Sequence, residues 1–330
     1  MMRRREFITL LGGAAAAWPN AARAQQPARM RRVGLLMNTG ADLDQQNNVA
    51  VFVGGLQQLG WTDGRNVQID IRWGLGDANR IRSNATEVLA LAPEVIVATG
   101  NASMGPLLQA THSVPIVFTS VADPVGAGYV DSLARPGGNV TGFLQFEYPL
   151  SGKWLELLKQ IAPGVTRAAV LRDPAITAGV GQFAIIQSVA PSVGIEVSAI
   201  NMRDAGEIER AITAFARVPN AGLILTGSAL AVVHRELIIT LAARHKLPAV
   251  YYRRYYADSG GLISYGYDVV QQMRDAAGYV DRILRGEKPA DLPVQAPTKY
   301  ELVINLLKQF SNSIVSAIGY GQIEQSLGTA

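Results

Sequence analysis

An alternation of short apolar runs with amphipathic segments, repeated twice along the chain, is the sequence feature that most constrains the fold. In the first half of the chain, the apolar run 33–37 is followed by apolar residues at helical spacing in 49–59. The alternation continues to a predicted strand at 115–119. The same order returns between 168–171 and 249–252. Strands separated by helices of this length predict right-handed crossovers and parallel sheets with helices on both faces. We therefore predict an α/β protein with two similar doubly wound parallel-sheet lobes.

Two short sequence similarities between the halves of the chain indicate that the halves are structurally equivalent. Residues 97–102 and 224–229 each read as a strand that stops at Thr-Gly and enters a helix, and the Val-Pro-Ile-Val of 114–117 resembles the Leu-Pro-Ala-Val of 247–250. The elements beyond Tyr252 have no third sheet to build, so we expect them to complete the lobes through a multi-crossover hinge. The predicted division is 29–147 plus 261–292 for lobe I and 148–260 plus 293–330 for lobe II.

Residues 1–24 have the three parts of an export signal peptide. Arg3, Arg4 and Arg5 form a basic head, 7–17 is an apolar run too short to span a bilayer, and Ala22-Arg23-Ala24 is a small-x-small cleavage site. The order Arg-Arg-Glu-Phe-Ile resembles a twin-arginine signal, and an ordinary Arg-rich signal is the alternative. We expect cleavage after Ala24 and a mature protein that does not span the membrane.

Charge and cysteine content exclude several classes of function. The formal net charge is +4 for 330 residues, and the leader holds four arginines and one glutamate, so the mature chain is about +1. So small a net charge does not indicate a surface that binds nucleic acid. The absence of cysteine excludes disulfides, thiolate metal sites and a lipid anchor at the cleavage point. An unanchored binding protein needs an outer membrane to stay near its partner, which predicts a periplasmic location.

Polar residues follow the predicted strands, where ligands bind in open parallel sheets. Two such lobes that face each other would form one cleft with two polar walls. Among the aromatic residues, Tyr265 and Tyr267 flank Gly266 beside a predicted crossover, and we expect them to contact the ligand. The polar strand ends are Asn38, Thr39, Asn101, Ser103, Ser120 and Asp123 in the first wall, and Asp173, Thr226, Ser228 and Arg253 in the second.

Several longer motifs together resemble one known family. Besides the leader, they are Gly-Trp-Thr-Asp-Gly-Arg-Asn-Val at 60–67, Pro-Ile-Val-Phe at 115–118, Asp-Pro-Val-Gly-Ala-Gly at 123–128, Arg-Pro-Gly-Gly-Asn-Val-Thr-Gly at 135–142, Ser-Tyr-Gly at 264–266, Lys-Pro-Ala-Asp-Leu-Pro-Val at 288–294 and Glu-Leu-Val-Ile-Asn at 301–305. The combination covers nearly all of the chain. It resembles the ABC-transporter substrate-binding family, whose better-known members handle tryptophan or tyrosine.

This resemblance implies a type I periplasmic-binding-protein fold, a small-molecule ligand and delivery to an ABC permease with its ATPase. The chain departs from the family in its tail from Lys308 onward, and Arg172, Arg253 and Arg254 add positive charge that a purely aromatic amino-acid binder does not need. An amino acid or an aromatic compound is the implied ligand. The ligand-binding positions that we predict are Asn38, Thr39, Thr99, Asn101, Ala102, Ser103, Ser120, Asp123, Pro124, Phe146, Asp173, Pro174, Thr226, Gly227, Ser228, Tyr252, Tyr265, Gly266, Tyr267 and Asp268.

Other classes of function lack their sequence signals. No Gly-x-Gly-x-x-Gly follows the first strand, no Walker-type Gly-Lys-Ser/Thr loop and no Gly-x-Ser-x-Gly elbow occur, and the three histidines have no metal-ligand spacing. A two-lobed gene regulator would need a DNA-binding headpiece, and only the leader precedes Val33. We predict a monomeric, cofactor-free binding protein that is not an enzyme. A sensor that presents its ligand to a membrane receptor, and an enzyme on the same fold, are the alternatives.

Overall fold

The computed structural model describes residues 30–145 and 148–305. The predicted leader, Phe146 and the tail from Lys308 lie outside the described residues. Within them, five strands form a first sheet in the order β2-β1-β3-β4-β5, and every neighbouring pair is parallel. The elements of this part are β1 (Arg31–Met37), α1 (Leu43–Gln58), β2 (Val67–Trp73), α2 (Ala78–Ala90), β3 (Val95–Thr99), α3 (Asn101–Ala110), β4 (Ile116–Val121) and β5 (Val140–Leu144).

Six of the described strands form a second sheet in the order β11-β10-β9-β8-β6-β7, which is parallel except for the β10–β11 pair. Its elements are α4 (Leu150–Ile161), β6 (Arg167–Arg172), α5 (Thr177–Val193), β7 (Glu196–Asn201), α6 (Ala205–Phe215), β8 (Ala221–Leu225), α7 (Ala229–Val233), α8 (Arg235–Arg244), β9 (Ala249–Tyr251), α9 (Arg254–Asp258), β10 (Ile263–Tyr267) and β11 (Tyr300–Ile304). The remaining helix, α10 (Val269–Leu284), packs against α1 in the first lobe.

The apolar strands are buried on both faces, as the doubly wound prediction requires. On β1, Leu35 belongs to a core cluster with Phe52 and Val280, whereas the next residue, Leu36, belongs to a second cluster with Ile81. Successive strand residues point to opposite faces of a sheet, so one strand serves two helical layers. The second lobe has one continuous core cluster around its sheet.

Aspartates fix where several helices begin. The side chain of Asp42 accepts a hydrogen bond from the amide of Gln45 at 2.9 Å, and Asp77 caps α2 in the same way. Such caps satisfy amides that have no partner inside the helix. The first residues of α1 are thereby fixed a short loop after the end of β1.

The chain passes between the lobes three times within the described residues: between β5 and α4, at Asp268, and between 296 and β11. The sequence predicts that 261–292 belongs to lobe I, but β10 pairs with β9 in the second sheet. Likewise, Val294 lies in the core of the first lobe, although 293–330 is predicted for lobe II. Both predicted boundaries therefore differ from the crossings in the structure. No helix of the described residues is long and apolar enough to cross a membrane.

Candidate functional site

The carboxyl ends of the two sheets face each other across a narrow cleft that is partly open to solvent. The first lobe and its hinge contribute Asn38, Thr39, Gln45, Thr99, Gly100, Asn101, Ala102, Ser120 and Gln145, and the second lobe contributes Asp173, Ile176, Gly227, Ser228, Ala229, Val232, Tyr252 and Arg253.

The ends of β1 and β3 are tied together on the first wall. The hydroxyl of Thr99 accepts a hydrogen bond from the amide of Asn38 and donates one to the Asn38 side-chain carbonyl, both at 3.0 Å. Gly100 has a φ of 70°, and a Cβ there would overlap the Asn38 amide. Only glycine combines this backbone conformation with such close packing. The hydroxyl of Thr39 beside them is buried and has no hydrogen-bond partner among the described residues.

Asn101 lines the cleft, but its side-chain amide holds the loop after β4. The Nδ2 of Asn101 donates to the carbonyl oxygen of Ala122 at 2.8 Å, and its Oδ1 accepts from the Ala122 amide at 3.0 Å. Both bonds are buried. The residue therefore positions the strand end, and its polar atoms already have partners.

Arg253 supplies the cationic group of the second wall. It is 7% exposed, and its Nη2 donates to the hydroxyl of Ser120 at 2.9 Å and to the hydroxyl of Tyr267. Ser120 adopts a left-handed φ of 58°, and its amide donates to Gln272 at 3.2 Å. Arg253 therefore reaches across the cleft to Ser120, whose backbone amide is bonded to Gln272 of α10.

Asp173 supplies the acidic group of the cleft. Burial raises the pKa of its carboxyl above the usual value, and the hydrogen bond from the Ala175 amide at 2.9 Å opposes part of that rise in pKa. Burial disfavours the ionised form because the charge loses its hydration.

Two further contacts join the lobes. Arg235 of the second lobe forms an ion pair with Asp44 of the first at 2.7 Å. The hydroxyl of Tyr148 also donates a hydrogen bond to Asp123 at 3.2 Å. Burial raises the pKa of the Tyr148 hydroxyl well above its usual value, and the negative charge of Asp123 raises this pKa more. The conformation is therefore closed around the cleft.

Ten of the predicted ligand-binding residues line this cleft, and the structure brings them together from both lobes. They are Asn38, Thr39, Thr99, Asn101, Ala102, Ser120, Asp173, Gly227, Ser228 and Tyr252. Lining the cavity places them within reach of a ligand, and their contact with one stays a prediction.

The other described predicted residues lie outside the cleft lining, in most cases because their polar groups are used elsewhere. The hydroxyl of Thr226 donates to the Leu171 carbonyl at 2.8 Å, and Asp123 accepts the Gly126 amide at 2.8 Å. Ser103 and Pro124 are buried within the first lobe, and Pro174 is exposed.

The predicted ligand-binding residues at 265–268, beside the hinge, also make contacts within the protein instead of lining the cleft. The ring of Tyr265 stacks on Tyr300, and Tyr267 donates to Ser120 at 2.8 Å. Asp268 caps α10 through Gln271, and Gly266 packs directly against the carbonyl of Tyr252.

The cleft also contains residues that the predicted ligand-binding positions omit, namely Gln45, Gly100, Gln145, Ile176, Ala229 and Val232. Arg253, which the sequence places on the second wall but not among the ligand-binding positions, lines the cleft as well. Gln145 directly follows strand β5, and Arg253 lies two residues after the end of strand β9. The rule that ligands bind at the carboxyl ends of strands therefore predicts both positions. Gln45 and Val232 lie on helices, and only the packing of the lobes brings them to the cavity.

A wider, open groove lies between α1, α10 and the last crossing, and it is less suited to a specific ligand. Its charged side chains have partners nearby: Lys299 bonds with Asp268 at 3.2 Å and Arg282 with Glu287 at 2.6 Å. In the two described segments, no group of three or more His, Cys, Asp or Glu side chains could hold a metal ion. The interlobe cleft is therefore the candidate site.

Two parallel-sheet lobes that close on a polar cavity through a three-crossing hinge define a two-lobed ligand-binding protein. The family model described as ABC transporter substrate binding protein matches residues 44–316, and the chain belongs to this family. The tyrosine-binding protein of Clostridioides difficile (strain R20291) is 27% identical over 254 residues, which are 77% of this chain and 73% of the relative.

Solved structures show the same fold. A conserved domain protein from Vibrio cholerae has a TM-score of 0.77 and 27% identity, covering 84% of this chain and 92% of its own. An ABC domain from Streptococcus pneumoniae in complex with L-Trp has a TM-score of 0.79 and 21% identity, covering 88% and 99% respectively. The predicted type I periplasmic-binding-protein fold is confirmed.

Proposed function

We propose that this chain is the exported solute-binding component of an ABC import system, which binds a small molecule in the interlobe cleft and delivers it to a permease with its ATPase. The observation that carries the proposal is the cavity itself, since polar strand ends of both lobes line it. Its walls include buried polar atoms, at Thr39 and Arg253, that have no hydrogen-bond partner within residues 30–145 and 148–305. A buried polar group without a partner is costly, so a ligand that supplies the missing bonds is favoured.

Ligand binding then works by a shift between open and closed conformations. A ligand that touches both walls stabilises the closed state through contacts that the open state cannot make. The relatives named for tyrosine and L-Trp make amino acids and aromatic compounds the first ligands to test.

The test uses protein that begins at Gln25, the predicted mature end. A thermal-shift screen over amino acids, aromatic and aliphatic acids and small amides identifies binders, and small-angle scattering measures the radius of gyration with and without each binder. We expect a rise in melting temperature together with compaction. Saturating ligand with unchanged dimensions would contradict the hinge mechanism.

Export is tested separately with the leader. We expect residues 1–24 to direct a fused reporter to the periplasm and to be removed after Ala24, as N-terminal sequencing of the exported protein would show. Replacing both Arg4 and Arg5 by Lys should stop export if the twin-arginine route is used. Continued export of that variant would favour the ordinary route.

A further inference from the structure

The environment of Arg253 combines burial with an aromatic enclosure. Its guanidinium carbon lies 5.5, 5.9 and 4.8 Å from the ring centres of Tyr252, Tyr255 and Tyr267. Rings at such distances attract a cation through their faces. The guanidinium of Arg253 therefore already occupies the faces of these three tyrosine rings.

No carboxylate balances this charge within the described part of the chain. Arg253 forms no ion pair there, and its Nε is buried without a hydrogen-bond partner. The acid that shares the cleft, Asp173, accepts the Ala175 amide and forms no ion pair with Arg253. A buried cation is expensive unless an anion and hydrogen-bond acceptors accompany it. Neutral hydroxyls and rings supply only part of that compensation.

We propose that the ligand of this cleft is a compact aliphatic carboxylate and that Arg253 is the specificity-determining residue that binds its carboxyl group. This inference rests on the proposed function. The guanidinium is a planar fork of N–H donors that matches a planar carboxylate. Among the described residues that line the cleft, Arg253 is the one cationic side chain and Asp173 the one acidic side chain, which disfavours a doubly charged anion such as phosphate.

The apolar part of the ligand faces aliphatic side chains. Ile176, Ala229 and Val232 line the cleft, whereas the tyrosine rings beside Arg253 pack on the guanidinium or on one another. Direct contact between the lobes, as in the bond from Arg253 to Ser120, narrows the cleft, which favours a compact molecule. Burial of the aliphatic part adds to the affinity in proportion to its apolar area.

The first experiment needs no variant. Aliphatic and aromatic carboxylates, including amino acids, are each compared with the matching amide by thermal shift and then by calorimetry, and inorganic phosphate and sulfate form a separate arm. We expect an aliphatic acid to bind about 10- to 100-fold more tightly than its amide, as for a charged hydrogen bond. Equal affinity of acid and amide, tighter binding of aromatic acids, or binding of phosphate or sulfate alone would each overturn the inference.

The second experiment compares Arg253→Gln with Arg254→Gln. Both variants lose one positive charge, but Arg254 is exposed and pairs with Asp258 and Glu301 on the surface. We expect Arg253→Gln to lose about 10- to 100-fold more affinity for the acid than for the amide, while Arg254→Gln binds like the parent. Equal acid affinity in the parent and Arg253→Gln would refute the role of Arg253.

The outcomes separate this inference from the proposed function. If amides or sugars bind with compaction and acids do not, the solute-binding function stands and the carboxylate inference fails. If no compound binds and scattering never changes, the proposed function fails. Should Arg253→Gln not fold, as judged by its circular dichroism, the acid and amide comparison on the parent protein still decides.

Discussion

Replacing Asn101 by Ala should cost stability rather than remove a ligand contact. The side-chain amide of Asn101 makes two buried hydrogen bonds to the backbone of Ala122, at 2.8 and 3.0 Å. The variant leaves both the amide and the carbonyl of Ala122 without these partners. The loop that follows β4 then loses its connection to the start of α3.

The expected magnitude follows from those two groups. A buried donor or acceptor left unsatisfied costs about 1–3 kcal/mol, so two such groups cost about 2–6 kcal/mol in the free energy of unfolding. This is a large part of the roughly 5–15 kcal/mol that stabilises a typical domain. Water that enters the site would bring the loss toward the lower end of this range.

The assay is urea unfolding of ligand-free protein, with Ser103→Ala as the matched control. Ser103 lies on the same helix, and its buried hydroxyl has no partner among residues 30–145 and 148–305, so its removal should be neutral or slightly stabilising. If Asn101→Ala lost less than about 0.5 kcal/mol of stability but bound ligand more weakly, the structural role that we assign would be wrong.

Three further predictions concern packing, charge and closure. Gly266→Ala should destabilise by about 1–3 kcal/mol or more in urea unfolding, because its Cβ would overlap the carbonyl of Tyr252, whereas Gly278→Ala, with open space around it, should not destabilise the protein. Burial raises the pKa of Asp173, so the folded state holds this proton more tightly than the unfolded chain and loses stability as the pH rises through the folded pKa. Asp173→Asn should therefore melt at a higher temperature than the parent at roughly pH 7 and at nearly the same temperature at roughly pH 3, and a difference that does not vary with pH would contradict this cause. Arg235→Gln removes an ion pair between the lobes, worth about 0.2–1 kcal/mol, so the ratio of closed to open ligand-free protein should fall by up to about fivefold. Small-angle scattering should report a larger radius of gyration, and an unchanged radius would argue against this contact as a support of closure.

The alternation of strands and helices was sufficient to predict the two-lobed fold, because each apolar run is buried in a sheet of the predicted kind. The lobe boundaries were not predictable in the same way. The strand Ile263–Tyr267 has the same local pattern whichever sheet it joins, and its place is set by pairing with Val250 and Ile304. Sheet membership of a late strand depends on tertiary contacts that local periodicity does not contain.

The strand-end rule predicts where the cleft lies, but it does not show which side chains are free to bind. Thr226 and Ser228 both follow β8, yet the hydroxyl of Thr226 bonds the backbone of Leu171, while that of Ser228 caps α7 and the residue still lines the cavity. Short polar side chains readily bond to nearby backbone groups. Whether they do so depends on loop geometry, which the sequence pattern leaves open.

This difference in partners decides where binding energy can arise. Asn101 and Asp123 already satisfy backbone groups of their own lobe, so a ligand that displaced those bonds would gain little. Thr39 and Arg253 instead hold buried atoms without partners among the described residues, and a ligand that bonds to them removes a cost that the empty protein bears. Because Thr39 is in the first lobe and Arg253 in the second, a ligand that satisfies both can do so only in the closed conformation, and its affinity is then coupled to closure.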